Sequence, residues 1–537
     1  MTRVAAAQLA AGTDVAVNLD ACLRMIDAAA AAGAELVVLP EFCNHLSWYE
    51  DRAHARRMAC TPGDTFCGSI AQRARRHRLF VKIGVTLARA DGRTTGTSLL
   101  FGPDGELLGE SDKQILMGAE NDYLDPGLTE SPVLATPLGR IGMYACMEGV
   151  INEVTRSLAL RGAQLLLNSL NSFAVDEASL HIPVRAAENK VWVVAANKVG
   201  PLLPADQLPS IADRLGVPQD RLHGAGESQI VGPDGIPVAV APATGEAIVV
   251  ADIDVSLADD KRRPDGTDIL AARRPELYAP LAATPRGRRA AAGADSLSTA
   301  LAVADPGLLA RIAADGVELI VLPELATISI PEVVDALNGT AAHVVLSARV
   351  GGAHHGVLVT ADGVLGRQAQ LHPTNRLPWL TEPGTELTVF DVPWGRLAIV
   401  VGDDALFPET FRLAALQDAD VVAVPCSPTE PWELELGLSE RAAENRLNVV
   451  AAGSDEHGGL LGAVYALSPD FTLWTVWSGP FTGVISHPIV TGAPPDAAEV
   501  RATVRPAQAV NRTVSKGTDL VDGRPRWPLD AMTRHAQ

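Results

Sequence analysis

The chain has 537 residues and a formal net charge of −20, from 44 Lys and Arg against 64 Asp and Glu. Hydrophobic residues make up 47% and charged residues 20%, which excludes a disordered chain. The acidic balance disfavours a nucleic-acid partner, because no net positive field can displace counterions from phosphates. No uncharged apolar stretch reaches the ~18 residues that span a bilayer, and the N-terminus lacks a secretory core. We therefore expect a cytoplasmic protein with no membrane partner.

The predicted elements alternate between strands and helices along the first half of the chain. An apolar strand at 4–9 precedes a helix at 18–32 and a strand at 35–39. A hairpin follows at 97–101 and 107–109, around the turn Asp104-Gly105. Next come a strand at 140–145, a helix at 152–160, and buried strands at 164–168 and 191–196. This alternation predicts an α/β domain with helices on the faces of a sheet.

Four short segments occur twice, in the same order. Residues 34–41 (AELVVLPE) match 317–324 (VELIVLPE), and the sequence RAAEN occupies both 185–189 and 441–445. The pairs Asp104-Gly105 and Pro126-Gly127 return as Asp362-Gly363 and Pro383-Gly384. We therefore predict a tandem duplication. The predicted domains are 1–282 and 290–537 with a polar tail, joined by a Pro-, Gly- and Arg-rich linker at 283–289.

Four residues stand where an α/β fold places its chemistry. Glu41 ends an apolar strand at the rim of the sheet, and Cys146 follows the strand at 140–145. The helix-leading turn after Cys146 is expected to favour its thiolate. Lys113 follows the hairpin, and Glu120 comes seven positions later, in a predicted loop. Any one of these residues alone fits an ordinary buried, capping or surface role equally well or better.

Taken together, these segments resemble the nitrilase (carbon–nitrogen hydrolase) superfamily. The resemblance rests on Leu39-Pro40-Glu41-Phe42, Lys113 with Glu120, Cys146 followed by Asn152-Glu153, the sequence RAAEN at 185–189 and the turn Gly232-Pro233-Asp234-Gly235. It covers nearly the whole first unit, and the second unit resembles the same fold. The resemblance implies two αββα sandwich domains that pack as an intramolecular pseudo-dimer, with a further homo-oligomer of that unit left open.

The resemblance also implies a Glu-Lys-Cys triad that needs no cofactor and no metal. Glu41 is the expected general base for Cys146, which attacks an amide or nitrile carbon and forms a thioester. Lys113 and the backbone N–H of Met147 are the expected oxyanion donors, and Glu120 is expected to orient the site. The predicted partner is a small-molecule amide. Acyl transfer by the same site, nitrile hydrolysis and a binding or regulatory pseudoenzyme remain alternatives.

Residues near the nucleophile give the substrate expectations. Family members that act on carbamoyl amino acids carry arginines after the cysteine, whereas Met147, Glu148 and the next two residues are not basic. A carboxylate-bearing substrate is therefore disfavoured. Glu148 would suit a neutral or cationic substrate, or act as an internal hydrogen-bond acceptor. Met147 stands where nitrilases tend to have Trp, which favours amides.

Three further residues are pocket candidates. Asn171, Phe173 and His181 follow the strand at 164–168, where the family lines its pocket. His181 fits a structural hydrogen-bonding role equally well.

The second unit is expected to be catalytically inactive. Alignment of the repeats places Gly402 opposite Cys146, Leu377 opposite Glu120, and Gln370 opposite Lys113, or His372 after a slip of two positions. Only Glu324 remains of the four residues. Asp403 and Asp404 are adjacent acids, which are more often capping or solvated than metal-binding.

The second unit is also shorter between its equivalent positions. Lys113 follows Glu41 by 72 positions, whereas Gln370 follows Glu324 by 46. The missing part corresponds roughly to 43–75. It includes His45, Trp48 and Tyr49, which we expect to line the pocket of the first unit.

Overall fold

A computed structural model describes residues 1–455, 457–527 and 529–534 of the chain. The last three residues of the predicted polar tail, 535–537, lie outside the described residues. Among the described residues, no helix has the length and apolar character needed to cross a membrane.

The first domain contains twelve strands and seven α-helices. The strands are β1 (Thr2–Gln8), β2 (Leu36–Val38), β3 (Phe80–Ala88), β4 (Thr94–Phe101), β5 (Leu107–Asp112), β6 (Val133–Thr136), β7 (Gly139–Ala145), β8 (Leu165–Ser169), β9 (Trp192–Ala196), β10 (Gln229–Val231), β11 (Pro237–Val240) and β12 (Ala247–Ile253). The helices are α1 (Val15–Ala31), α2 (Arg52–Met58), α3 (Thr65–His77), α4 (Glu120–Tyr123), α5 (Glu153–Leu160), α6 (Ile182–Asn189) and α7 (Leu208–Leu215).

The strands of the first domain form two six-stranded sheets, in the orders β12-β1-β2-β3-β4-β5 and β11-β10-β9-β8-β7-β6. Alternation along β1 explains the layering: Val4 and Ala6 face the second sheet, whereas Ala5 and Ala7 pack against α1 and α3. The other sheet is covered by α5 and α6. The predicted αββα sandwich is therefore confirmed.

The second domain repeats this plan. Its strands are β13 (Leu297–Ala302), β14 (Leu319–Val321), β15 (His343–Val350), β16 (Ala353–Thr360), β17 (Gly363–Ala369), β18 (Val389–Val392), β19 (Gly395–Ile399), β20 (Val421–Pro425), β21 (Asn448–Ser454), β22 (Leu460–Ala466), β23 (Ile489–Gly492) and β24 (Glu499–Val504). They form six-stranded sheets in the orders β17-β16-β15-β14-β13-β24 and β18-β19-β20-β21-β22-β23. The hairpin β25 (Thr513–Ser515) and β26 (Thr518–Asp519) follows. The helices are α8 (Pro306–Ala314), α9 (Ile330–Ala336), α10 (Pro408–Leu416), α11 (Ser439–Asn445) and α12 (Leu529–Met532).

Two details differ from the sequence-based expectations. Glu120 begins the one-turn helix α4 instead of lying in a loop. Helix α3 has a counterpart in α9, because each packs on the first helix of its domain. The segment absent from the second domain is therefore shorter than 43–75: it ends before α3 and includes α2. The predicted linker at 283–289 contains neither helix nor strand, and the domain boundaries themselves stay predictions.

The two domains meet through the helix pairs α5–α6 and α10–α11, with buried ion pairs that repeat reciprocally. The Nε of Arg156 lies 3.0 Å from Glu409, and the Nε of Arg412 lies 2.8 Å from Glu153. The RAAEN repeats make a second reciprocal set: Arg185 contacts Glu444 at 2.9 Å, and Arg441 contacts Glu188 at 2.5 Å. Such reciprocity is typical of a two-fold interface, so the chain forms the predicted intramolecular pseudo-dimer.

Each domain also sends its final segment onto the other. Tyr278 and Leu281 belong to the core of the second domain, whereas Val514 and Leu520 belong to a core cluster of the first. The sequence Gly-Thr-Asp, at 266–268 and 517–519, marks this exchange. We name residues 513–519 the C-terminal strap.

Candidate active site

Glu41 follows β2 in a tight backbone arrangement. The next residue, Phe42, has a φ of 50°, in the left-handed region, and its carbonyl accepts a hydrogen bond from Lys198 Nζ at 3.0 Å. A Cβ at Gly84 would lie 2.6 Å from the Glu41 Cα, so only glycine lets β3 approach this closely. The carboxylate of Glu41 is thereby directed from the sheet edge toward Lys113.

Lys113 lies immediately after β5 and is fully buried. Its backbone N–H donates to Gly96 and its carbonyl accepts from Gly127, both at 2.8 Å. Its Nζ lies 2.9 Å from Glu41 Oε1 and 2.9 Å from Glu120 Oε2. One ammonium therefore bridges two carboxylates. Apart from this bridge, the Glu41 oxygens have no hydrogen-bond partner among the described residues.

Cys146 follows β7 and begins a short 3-10 turn, Cys146–Gly149, with a φ of 49°. Its backbone N–H donates to Asn168 Oδ1 at 3.1 Å, so the amide of Met147 is the next candidate donor to an oxyanion. Glu148 braces the turn, accepting from Ala145 N–H at 2.8 Å and from Gln114 N–H at 2.7 Å.

Burial and neighbouring charges determine the protonation states. Burial raises the pKa of Glu41 to about 7, a shift that Lys113 opposes and Glu120 reinforces. Burial alone would lower the pKa of Lys113, but the carboxylates of Glu120 and Glu41 hold it well above its usual value. Burial also raises the pKa of the Cys146 thiol well above its usual value; Lys113 opposes this shift and Glu41 adds to it.

The sequence favours a thiolate at Cys146 because a helical turn follows it. That turn is only four residues long, and burial acts in the opposite direction by raising the pKa of the thiol. A thiol of raised pKa needs a base before it can attack.

A cavity of about 440 Å³ opens beside these residues. Cys146 and Glu120 line it, together with Asn171 and Phe173. Most of the remaining wall is apolar and includes the side chains of Trp48, Met117, Leu202, Leu203, Ile211, Leu215 and Leu222. A wall of this kind suits an organic small molecule.

Sequence comparison gives the family. The sequence profile of carbon-nitrogen hydrolases matches residues 3–263 and again residues 307–457. The chain belongs to the carbon-nitrogen hydrolase family. The two matches fall on the two structural repeats, as the duplication predicts.

Relatives of this carbon-nitrogen hydrolase align with about half of its length. A nitrilase of Pyrococcus abyssi is 29% identical over 265 residues, covering 49% of this chain and 92% of that protein. The omega-amidase NIT2 of Bos taurus is 29% identical over 291 residues, covering 51% and 96%. Among solved structures, an amidase from Nesterenkonia sp. AN1 has a TM-score of 0.40 at 23% identity, covering 49% of this chain and 97% of that chain.

The structure separates the pocket candidates into two groups. Asn171 and Phe173 line the cavity, and Asn171 Nδ2 donates to Ser47 at 2.9 Å. Contrary to the prediction, Glu148 is not part of the cavity wall, since both its oxygens accept backbone hydrogen bonds below Cys146. His181 is also absent from the wall: it is buried at the domain interface, with Nδ1 2.8 Å from Glu440.

Of the three residues expected to wall the pocket, only Trp48 does so. His45 and Tyr49 are buried and stack on each other behind the wall, with ring centroids 5.3 Å apart.

Sequence reasoning missed three contributors to the site. Lys198 supports Phe42 and also acts electrostatically on Glu41. Arg214, on the exposed side of α7, provides a cation in the cavity wall. The second domain adds Leu473, Trp474 and Ile485 to the wall, although they lie more than three hundred positions from Cys146 in the sequence.

The corresponding position in the second domain is filled. Gln370 occupies the position equivalent to Lys113. Its backbone N–H donates to the His354 carbonyl and its own carbonyl accepts from Gly384 N–H, the same pattern that Lys113 makes with Gly96 and Gly127. This pattern decides against His372. Gly402 has a φ of 55°, matching Cys146, and a Cβ there would lie 2.3 Å from Glu324 Oε1. The cavity that remains measures about 20 Å³.

Ion pairs occupy the acids of this second position. Arg376 binds Glu324 at 2.7 Å and Asp403 at 2.9 Å. Asp404 accepts from the backbone N–H of His372 at 2.8 Å and contacts its Nδ1 at 2.7 Å. The two adjacent acids therefore serve internal bonding: both are buried, and they are neither solvated nor caps of the helical turn at 402–406, which are the roles that the sequence interpretation favoured.

One cluster of potential metal ligands occurs among the described residues, away from the cavity. The ligand atoms of Cys60, Asp64 and Cys67 lie within 4.8 Å of one another. Asp64 already accepts hydrogen bonds from Thr61 N–H at 2.7 Å and Cys67 N–H at 2.9 Å, where it caps α3. Its oxygens are thus committed to the helix cap.

Proposed function

We propose that the first domain hydrolyses the C–N bond of a small-molecule amide through a thioester on Cys146. The observation that carries the proposal is the buried Lys113 ammonium, 2.9 Å from both Glu41 and Glu120, beside Cys146 at the cavity. These side chains supply a base, a cation and a nucleophile in one water-poor site.

Glu41 is the general base in this proposal. Because its pKa is about 7, it is partly ionised near neutral pH and can accept the Cys146 proton as sulfur attacks the carbonyl carbon. Lys113 and the amide of Met147 stabilise the oxyanion; each such donor is worth about 3–4 kcal/mol in the transition state. The tetrahedral intermediate then collapses to a thioester, and the amine leaves with a proton from Glu41.

The second half-reaction regenerates the enzyme. Glu41 takes a proton from water, the hydroxyl attacks the thioester carbonyl, and the carboxylic acid leaves as the thiol is restored. Glu120 keeps Lys113 protonated and in place throughout, because its carboxylate contributes to the raised pKa of the ammonium. An amide is favoured over a nitrile because Met147 follows the nucleophile, where nitrilases tend to have Trp.

The test is ammonia release from a panel of amides, nitriles and carbamoyl compounds, combined with mass spectrometry of the intact protein. We expect amide-dependent ammonia release, and an acyl adduct on Cys146 when the unaltered protein is quenched with acid during turnover; Glu41→Gln should suppress both signals, because it removes the base. Cys146→Ala should abolish both signals. Ammonia release that persists in folded Cys146→Ala would refute the thioester, and hydroxamate formation with added hydroxylamine would measure acyl transfer.

A further inference from the structure

The cavity beside Cys146 has walls from both domains. The first domain supplies Trp48 and Phe173 and the apolar face of α7, whereas the second supplies Leu473, Trp474 and Ile485. At about 440 Å³ the cavity lies in the range of roughly 300–1,000 Å³ that holds drug-sized ligands. A substrate as small as acetamide would leave most of it unfilled.

The chemistry of the wall defines what this space can hold. Among the described residues that line the cavity, two have charged side chains: Glu120, which is paired with Lys113, and Arg214, which is exposed on α7. Beyond the polar groups near Cys146, the wall consists mainly of aliphatic and aromatic side chains. It favours an uncharged, apolar substituent: a cation there would lose its hydration without gaining a free partner, and an anion would find only Arg214, whose charge is exposed to solvent and weakly felt.

The second-domain part of the wall is firmly attached to the first domain. The buried carboxylate of Asp176 accepts hydrogen bonds from the backbone N–H groups of Ile485 at 3.1 Å and Ser486 at 2.8 Å. His181 Nε2 lies 3.1 Å from the Ser486 hydroxyl. Val175 N–H also donates to Gly483 at 3.1 Å. The part of the wall segment around Ile485 is therefore held in a defined position on the first domain.

The side chains on this segment face the first domain. Leu473 packs in one cluster with Trp48 and Ile211. Ile485 packs in another cluster with Met147, the neighbour of Cys146. Trp474 lines the cavity yet remains 55% exposed, so a large aromatic surface is available for an apolar group to cover.

We propose that the substrate is an amide with a bulky apolar acyl substituent, and that Leu473, Trp474 and Ile485 of the second domain select it. This inference rests on the proposed function, since the apolar substituent is the acyl group attached to the carbonyl carbon that Cys146 attacks. The inactive domain is then the specificity-determining wall of the active one.

The test uses the full chain and linear primary amides from acetamide to octanamide, with ammonia release as the readout. For the unaltered protein we expect kcat/KM to rise about fourfold per added methylene until the cavity is full, the gain expected for burying a CH₂ group. Trp474→Ala and Ile485→Ala should each reduce the octanamide-to-acetamide ratio of kcat/KM at least tenfold. Val476→Ala is the matched control, because Val476 lies in the same segment but is 97% exposed and outside the wall.

Binding to the Cys146→Ala variant separates this inference from the proposed function. We expect the dissociation constant, measured by calorimetry, to fall with chain length in this variant and to lose that dependence when Trp474→Ala is added. Tight, length-dependent binding without any turnover by the unaltered protein would overturn the proposed function alone. Equal kcat/KM and equal affinity for acetamide and octanamide, with Cys146-dependent turnover intact, would overturn the inference alone.

Discussion

At the scale of single residues, the proposed chemistry depends on the carboxylate of Glu41. Burial raises its pKa to about 7, and the proposed mechanism needs the ionised form to accept the Cys146 proton. We therefore expect kcat/KM to be low below pH 6, to rise through about pH 7 and then to level off. The measurement is the pH dependence of ammonia release between pH 5 and 9. A profile flat across this range would contradict the role of Glu41 as base.

Lys198 is expected to tune that carboxylate without touching the substrate. Its positive charge lowers the pKa of Glu41, and its Nζ holds the carbonyl of Phe42. Lys198→Met should therefore move the acidic limb of the pH profile to higher pH and reduce kcat/KM at pH 7. Lys261→Met is a matched control: this lysine also bonds backbone carbonyls, of Asn189 and Lys190, but is not part of the cavity wall. An unmoved limb in Lys198→Met would exclude this electrostatic role.

The prediction of individual residues from sequence succeeded where local signals were strong. Glu41 and Cys146 each follow an apolar strand, so their place at a sheet edge was readable. The orientations of the Glu148 and His181 side chains could not be predicted, because each depends on a partner far away in the sequence. Glu148 accepts from the backbone N–H of Gln114, and His181 contacts the carboxylate of Glu440. A polar residue near a nucleophile can point into the cavity or into the backbone beneath it, and residue type does not distinguish these outcomes.

At the scale of elements, the C-terminal strap supports the loop that leads into α4, the helix that begins at Glu120. Gly118 N–H donates to Ser515 at 2.9 Å, and the buried Thr518 hydroxyl donates to the Leu116 carbonyl at 2.7 Å. Thr518→Val removes the second bond, which is worth about 1 kcal/mol. Because this bond holds the segment that positions Glu120, we expect its loss to raise the activation free energy by a similar amount and to lower kcat/KM roughly fivefold.

Steady-state kinetics and thermal unfolding check this prediction together. Thr518→Ser should restore the rate, and Thr513→Val, an exposed threonine of the same hairpin, should leave it unchanged. Identical kinetics for Thr518→Val and the unaltered protein would show that the strap does not position the loop.

The strap also shows which elements sequence reasoning could and could not find. The strands and helices with clear periodicity, such as α1 and β7, were predicted within a few residues of their ends. That the strap packs on the first domain was not predicted, although the repeated Gly-Thr-Asp at 266–268 and 517–519 was a usable signal. The wall residues around Trp474 had no such signal, since generic apolar residues in a loop look alike whatever they contact.

At the scale of the whole molecule, neither half is expected to stand alone. Residues 1–282 would expose the buried arginines of α5 and α6 together with Tyr278 and Leu281, which belong to the core of the second domain. Unpairing a buried charge pair costs about 3–5 kcal/mol, and this interface contains several reciprocal pairs. We expect fragment 1–282 to aggregate or to be inactive, and co-expression with fragment 283–537 to restore activity.

Size-exclusion chromatography and ammonia release decide between the outcomes. The full chain purified in parallel controls for expression and assay conditions. A stable, active monomer of fragment 1–282 would refute the pseudo-dimer as the functional unit.

The two unequal cavities, about 440 Å³ beside Cys146 and about 20 Å³ beside Gly402, bear on how such an enzyme can change over generations. In a symmetric homodimer both subunits come from one gene, so every substitution appears in both. A substitution that changes the wall facing the partner's nucleophile therefore also changes the same residue in the subunit that carries that nucleophile. Here the nucleophile and the facing wall are encoded at separate positions of one gene. Mutation can reshape the pocket through the second repeat while the first repeat stays untouched, and each pair of repeats carries one site, whereas a homodimer carries two.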